Sequence, residues 1–164
     1  MAAGSIPGWL KEQHEIARAQ EEMRRDEALA GALIEARALN YWHEVLNGLQ
    51  FVANHSPIGL RVIFSHSDYP ISPSEDHCRI SVTSASISPR MSHADLWYSC
   101  TGRVIRCFKS LTGSESVYQF CVVNSQIHVM SVDRCEALTA EEFVRLIVEP
   151  MNEYALSMQP KRGF

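Results

Sequence analysis

Residues 39–65, LNYWHEVLNGLQFVANHSPIGLRVIFS, contain the change of periodicity that decides the fold. Large apolar residues first recur every three or four positions, at Leu39, Trp42, Val45, Leu46, Leu49 and Val52. This spacing predicts a helix with a wide apolar face that must be buried. From Leu60 the apolar residues alternate with others instead, through Val62 and Phe64, and this alternation predicts a strand.

The segment before this stretch, residues 9–38, is mostly polar and is rich in good helix formers such as Ala, Glu, Arg and Gln. A single thin apolar stripe runs along it at seven-residue intervals, formed by Trp9, Ile16, Met23 and Ala30. The residues between the stripe positions include Glu12 and Asp26, so the pattern falls short of a coiled coil. The pattern predicts a long polar helix.

Asn40 is a residue type that caps helices, and it lies where the polar pattern gives way to the amphipathic one. We therefore expect two N-terminal helices, a long polar one and an amphipathic one, with a bend near Leu39 and Asn40. The long polar helix defines an arm, residues 1–38, and residues 39–164 form a single α+β domain.

The alternating pattern continues downstream of Leu60 in short runs separated by Gly, Pro, Ser and Asn. The runs cover residues 60–65, 78–83, 95–99, 103–109, 117–123 and 126–132. Because short connections favour neighbouring antiparallel strands, they predict a five- or six-stranded antiparallel meander. After the strands, Thr139 and Glu142 form a capping box that opens an amphipathic C-terminal helix, which we expect to pack on one face of the sheet.

Charge is unevenly distributed over the 164 residues, which carry a net charge of −4. Residues 1–53 and 136–164 are acidic, whereas residues 54–135 have 7 Lys and Arg against 6 Asp and Glu. This balance argues against a nucleic-acid partner, because such binding depends on neutralising phosphates. No apolar run reaches the ~18–20 residues that span a bilayer, so we expect no membrane partner.

The five cysteines are odd in number and include no CxxC motif. The N-terminal residues show neither the basic nor the apolar region of a signal peptide. A chain of this length needs no disulfide for stability, so reduced thiols and a cytoplasmic location are the simplest interpretation. A secreted protein with one unpaired cysteine is the alternative.

The loop between the first two predicted strands offers candidate metal ligands. His66, Asp68 and His77 flank this loop, and two imidazoles with a carboxylate can hold a divalent metal with open positions. The spacing matches no established ligand motif, and a solvated loop in which aspartates cap turns explains the same residues. A nucleophilic pairing of Cys100 with His77 or His66 is a further alternative at the same end of the sheet.

The leading functional hypothesis is a non-enzymatic module that associates with itself or with another protein through its N-terminal helix. A helix with one narrow apolar stripe gains little from its own domain, and isolated helices are marginal in water. Its candidate interaction residues are Trp9, Ile16 and Met23. The rival hypothesis is a metal- or thiol-dependent enzyme at the loop from His66 to His77. No P-loop, GxGxxG, GxSxG or HExxH motif occurs, and no cofactor is expected.

Overall fold

The computed structural model describes residues 4–56, 59–66, 78–84, 94–99, 103–110 and 112–157. The chain has an α+β fold in which a long helix precedes an antiparallel sheet and a second helix follows it. Its elements are α1 (Gly8–His55), β1 (Leu60–His66), β2 (Cys78–Ser84), β3 (Ala94–Ser99), β4 (Val104–Lys109), β5 (Ser114–Val123), β6 (Gln126–Ser131), β7 (Ala137–Leu138) and α2 (Ala140–Ser157). Within these ranges, no helix is both long and apolar enough to cross a membrane.

The sheet is a meander with the strand order β1-β2-β3-β4-β5-β6-β7, and every neighbouring pair is antiparallel. The six predicted strands are present, but the expected count of five or six is wrong because a seventh strand exists. This strand, β7, comprises two residues that pair with Val129 and Met130 of β6. Two residues are too short to show an alternating pattern, so only the tertiary pairing reveals the strand.

The prediction of two N-terminal helices with a bend near Leu39 and Asn40 is wrong, because α1 is one helix of 48 residues. An asparagine inside a helix costs only about 0.7 kcal/mol relative to alanine. Ala38 and Tyr41, on either side of Asn40, are both buried in the core. Their packing on one continuous face outweighs the weak preference of Asn40 for a cap position.

The core lies between one face of the sheet and a layer formed by α1 and α2. Trp42 of α1 is fully buried and stacks on Tyr98 of β3, with ring centroids 5.6 Å apart. Phe143 of α2 meets Tyr118 of β5 edge to face at 4.9 Å. These aromatic pairs add to the apolar area that the two helices remove from water.

The two helices cross closely at Gly48 of α1. A Cβ atom built on Gly48 would lie 3.0 Å from Cγ2 of Val144 in α2, a separation shorter than ordinary van der Waals contact. Val144 is itself buried. The absence of a side chain at residue 48 therefore sets the distance between the helices.

The N-terminus of α2 is capped as the sequence predicts, since the backbone N–H of Glu142 donates to Oγ1 of Thr139 at 3.2 Å. The amphipathic pattern is also observed, with Phe143, Ile147 and Met151 buried on one side. The helix continues through Pro150 to its end at Ser157.

A carboxyl group is buried on the sheet face that points away from the helices. Asp95 of β3 is only 5% exposed, and its Oδ1 accepts a hydrogen bond from the Ser81 hydroxyl of β2 at 2.6 Å. The two residues are direct cross-strand partners in the register. This bond meets part of the requirement that a buried polar group be hydrogen-bonded.

Candidate interaction surface

The three predicted interaction residues lie on the N-terminal part of α1, and all three are exposed. Trp9 is 61% exposed, Ile16 57% and Met23 62%. Large apolar side chains seven residues apart lie on the same side of a helix, so the three form one line. Ala30, the fourth stripe position, is half-buried where the helix reaches the domain.

Most of the arm is not covered by the described part of the domain. Residues 11–29 are exposed without interruption, which corresponds to about 28 Å of helix at about 1.5 Å per residue. Burial begins at Ala30 and is complete at Ile34. The division of the chain at residue 38 stays a prediction.

The apolar stripe continues the buried face of α1 beyond the domain. With a rotation of about 100° per residue, Trp9, Ile16 and Met23 all lie within about 20° of Ile34 around the helix axis. Ile34 is 8% exposed and belongs to the core. One side of α1 therefore has two environments. Within the domain it packs on the sheet, and on the arm it carries the exposed apolar residues.

The arm leaves the domain at Gly31. A Cβ atom at this position would lie 3.0 Å from Nη1 of Arg103, so the guanidinium group packs directly against the helix backbone. Arg103 immediately precedes β4 and has a φ of 51°, a left-handed conformation uncommon for a residue other than glycine. A cation therefore contacts α1 at the point where the helix leaves the sheet.

Acidic residues flank the apolar stripe. If the stripe is taken as heptad position a, the g positions include Glu15 and Glu22, and the e positions are Gln13, Gln20 and Glu27. The d positions include two more acids, Glu12 and Asp26. Neither flank of the stripe therefore carries a basic residue at the positions that face a partner helix.

Three basic residues of the exposed part of the arm lie on the opposite side of the helix, whereas Arg24 lies about 60–100° from the stripe. Lys11, Arg18 and Arg25 are spaced by seven, about 140–180° from the stripe around the axis. Arg25 forms an ion pair with Glu21 at 3.6 Å, and both side chains are well exposed. Such exposed pairs contribute little to stability, so this side of the helix is a solvated surface.

The residues of the metal and thiol hypotheses fall mainly outside the described part of the chain. His66 is the last residue of β1, and nothing is described of its side chain, while Asp68, His77 and Cys100 lie outside the described residues. Among the residues that the structure describes, no three His, Cys, Asp or Glu side chains form a group that could hold a metal ion. Both hypotheses stay predictions.

The described cysteines differ in accessibility. Cys107 is fully buried, and burial raises the pKa of its thiol from 9.0 to about 11. Burial also raises the pKa of the Cys121 thiol, which is half-buried, whereas Cys135 is exposed before α2. The thiolate is the reactive form, so Cys107 is a chemically inert part of the core.

We expect Cys135 to react with iodoacetamide at pH 8 about 100-fold or more faster than Cys107 in the folded protein, because burial excludes the reagent from Cys107 and raises the pKa of its thiol to about 11. Peptide mapping by mass spectrometry measures both rates in one sample. In denaturant the two rates should become similar. Equal rates in the native protein would contradict the burial of Cys107.

A cleft of about 500 Å³ lies between α1, the β5–β6 turn and the start of α2. Tyr41, which borders the cleft, donates a hydrogen bond to the carbonyl oxygen of Leu138 at 3.1 Å. Burial raises the pKa of its hydroxyl well above the ordinary value. Tyr41 therefore serves as a neutral structural link between α1 and β7. The link could not be predicted from sequence, because Tyr41 and Leu138 lie far apart in the chain.

A scan against protein-family models, a search of curated proteins and a search of solved structures each find no match to this chain.

Proposed function

We propose that the protein is a protein-interaction module that binds a helix of another protein along the stripe of Trp9, Ile16 and Met23. One observation carries the proposal: the apolar stripe continues the core-facing side of α1 but is exposed at Trp9, Ile16 and Met23. An apolar surface of this kind is stabilised when a partner removes it from water.

The charge around the stripe favours a partner with basic flanks over a second copy of the arm. In an antiparallel pair of arms, Glu15 of one copy would face Glu22 of the other, and in a parallel pair Glu22 would face Glu27. Both arrangements bring like charges together. A helix with Lys or Arg beside its own apolar stripe would instead meet opposite charges on both flanks.

The experiment compares two synthetic helical peptides that share one leucine stripe and differ in having Lys or Glu at the flanking positions. We expect the Lys peptide to bind about tenfold more tightly, because its lysines can pair with Glu15, Glu22 and Glu27 at about 0.3–0.5 kcal/mol each, whereas the Glu peptide meets like charges there. Fluorescence anisotropy of the labelled peptides measures the two affinities. The difference should shrink in high salt, which screens exposed charges.

The matched control tests whether binding uses the stripe. Replacing Trp9, Ile16 and Met23 by serine should abolish binding of the Lys peptide, whereas Phe51→Ser, on an equally exposed residue of the same helix, should leave it unchanged. Equal affinity for both peptides, or binding by neither, would refute the proposal.

A truncation separates a foreign partner from a second copy. Because Ile34 and Ala38 are buried, the chain should be shortened after Leu29, so that the core stays covered. Light scattering should give the same association state with and without residues 1–29. A change of state on truncation would show that the arm binds its own copy.

The location of the protein is part of the proposal. The described cysteines Cys107, Cys121 and Cys135 are free thiols. Free thiols persist in reducing compartments, which supports action in the cytoplasm.

A further inference from the structure

The two edges of the sheet differ in how they are protected. At one edge, β7 has two residues and offers almost no free backbone to a neighbouring strand. At the other edge, β1 has seven residues, Leu60–His66, with neither proline nor lysine among them. Short strands, proline, charged side chains and covering segments are the usual devices that prevent edge-to-edge pairing. Among the described residues, the single charge of Arg61 is the one such device on β1, which leaves the strand open to addition.

Among the described residues, a cleft lies beside β1. A cleft of about 550 Å³ borders it, between the last turns of α1, with Gln50 and Ala53, and the first half of the strand, with Arg61 and Val62. On the opposite face, the Ile63 side chain is 50% exposed. A large apolar residue is thus exposed at the middle of an unprotected edge.

The sequence of β1 is complementary to itself in the antiparallel direction. With a two-fold axis at Ile63, this residue lies opposite its own copy, Val62 lies opposite Phe64, and Arg61 lies opposite Ser65. Arg61 is the sole Lys, Arg, Asp or Glu of the strand, and it faces an uncharged residue. Apolar cross-strand pairs stabilise such a pairing and no like charges oppose it.

We propose that a second copy of the chain adds its β1 to this edge, so that the two seven-stranded sheets join through antiparallel β1 strands related by a two-fold axis. Such an axis places the same residues on both sides of the interface. It also leaves the helix layers of both copies on the same side of the joined sheet, where the clefts beside β1 provide room. This interface is separate from the arm.

The test measures mass by light scattering from micromolar to submillimolar concentration. The full chain should reach twice its monomer mass of 18.5 kDa. Ile63→Lys should remain a monomer throughout, because it places two lysines opposite each other at the axis. Val132→Lys is the matched control, since Val132 is 63% exposed and lies outside β1, and this variant should form the dimer.

A charge-swap experiment tests the axis itself. Ile63→Glu should also be monomeric, but an equimolar mixture of Ile63→Lys and Ile63→Glu should form a heterodimer. Far-UV circular dichroism should be unchanged in both variants, since Ile63 is half exposed. A monomeric full chain, a dimer that survives Ile63→Lys, or a mixture that stays monomeric would each overturn the proposal. The dimer should persist without residues 1–29, which separates this result from that of the arm.

Discussion

Replacement of Trp42 by alanine is expected to lower the free energy of unfolding by about 3–5 kcal/mol, the usual cost of removing a large buried aromatic side chain. Trp42 has no exposed surface and stacks on Tyr98, so its removal leaves a cavity between α1 and β3. A loss of this size is a large part of the stability of an ordinary domain. Urea denaturation followed by circular dichroism measures it.

Trp9→Ala is the matched control, because it removes the same side chain from an exposed position of the same helix. It should change the free energy of unfolding by less than about 0.5 kcal/mol. Trp42→Phe should cost less than Trp42→Ala, since the ring is retained and the buried indole N–H, which has no described hydrogen-bond partner, is removed. Similar losses for Trp9→Ala and Trp42→Ala would contradict the packing described for α1.

Gly48→Leu is expected to destabilise the protein by about 1–3 kcal/mol or more, because it forces α1 and α2 apart. Even a Cβ atom at this position comes within 3.0 Å of Val144. The higher helix propensity of leucine, worth about 1 kcal/mol, offsets only part of this cost. Thermal and urea unfolding of the variant measure the effect.

Gly31→Ala is the contrasting variant. Its Cβ would meet the flexible end of the Arg103 side chain at 3.0 Å, which can move aside. The gain in helix propensity should then raise stability by about 0.5–1 kcal/mol.

A Gly48→Leu/Val144→Ala double variant tests the contact between α1 and α2. The smaller residue 144 should recover part of the stability that Gly48→Leu loses. An additive loss in the double variant would show that the helices do not meet at these residues.

Local pattern was sufficient to predict most of the fold. Six strands follow from alternation and turn residues, and the start of α2 follows from Thr139 and Glu142. The continuity of α1 through Asn40 could not be predicted from the pattern, because the preference of asparagine for a cap position is only a local effect. Tertiary packing of Ala38 and Tyr41 decided the outcome.

The burial of Asp95 shows a second limit of sequence reasoning. An aspartate in an alternating strand suggests a solvated position, yet this one is 5% exposed and bonded to Ser81. Which face of a sheet becomes covered depends on segments distant in the chain. The direction in which the apolar stripe points could not be predicted from sequence either. The stripe residues were identified from their spacing, but their alignment with Ile34 depends on α1 being one unbroken helix.

The contact of Arg103 with Gly31 has a consequence for any helix that lies along the arm. Because the stripe and the core-facing side of α1 coincide, a helix that binds the stripe as proposed would meet the domain near Ala30 and Gly31, where Arg103 contacts α1. From Trp9 to Gly31 the interval is about 33 Å at about 1.5 Å per residue. The domain therefore leaves about six helical turns of the stripe side available for contact with a partner helix.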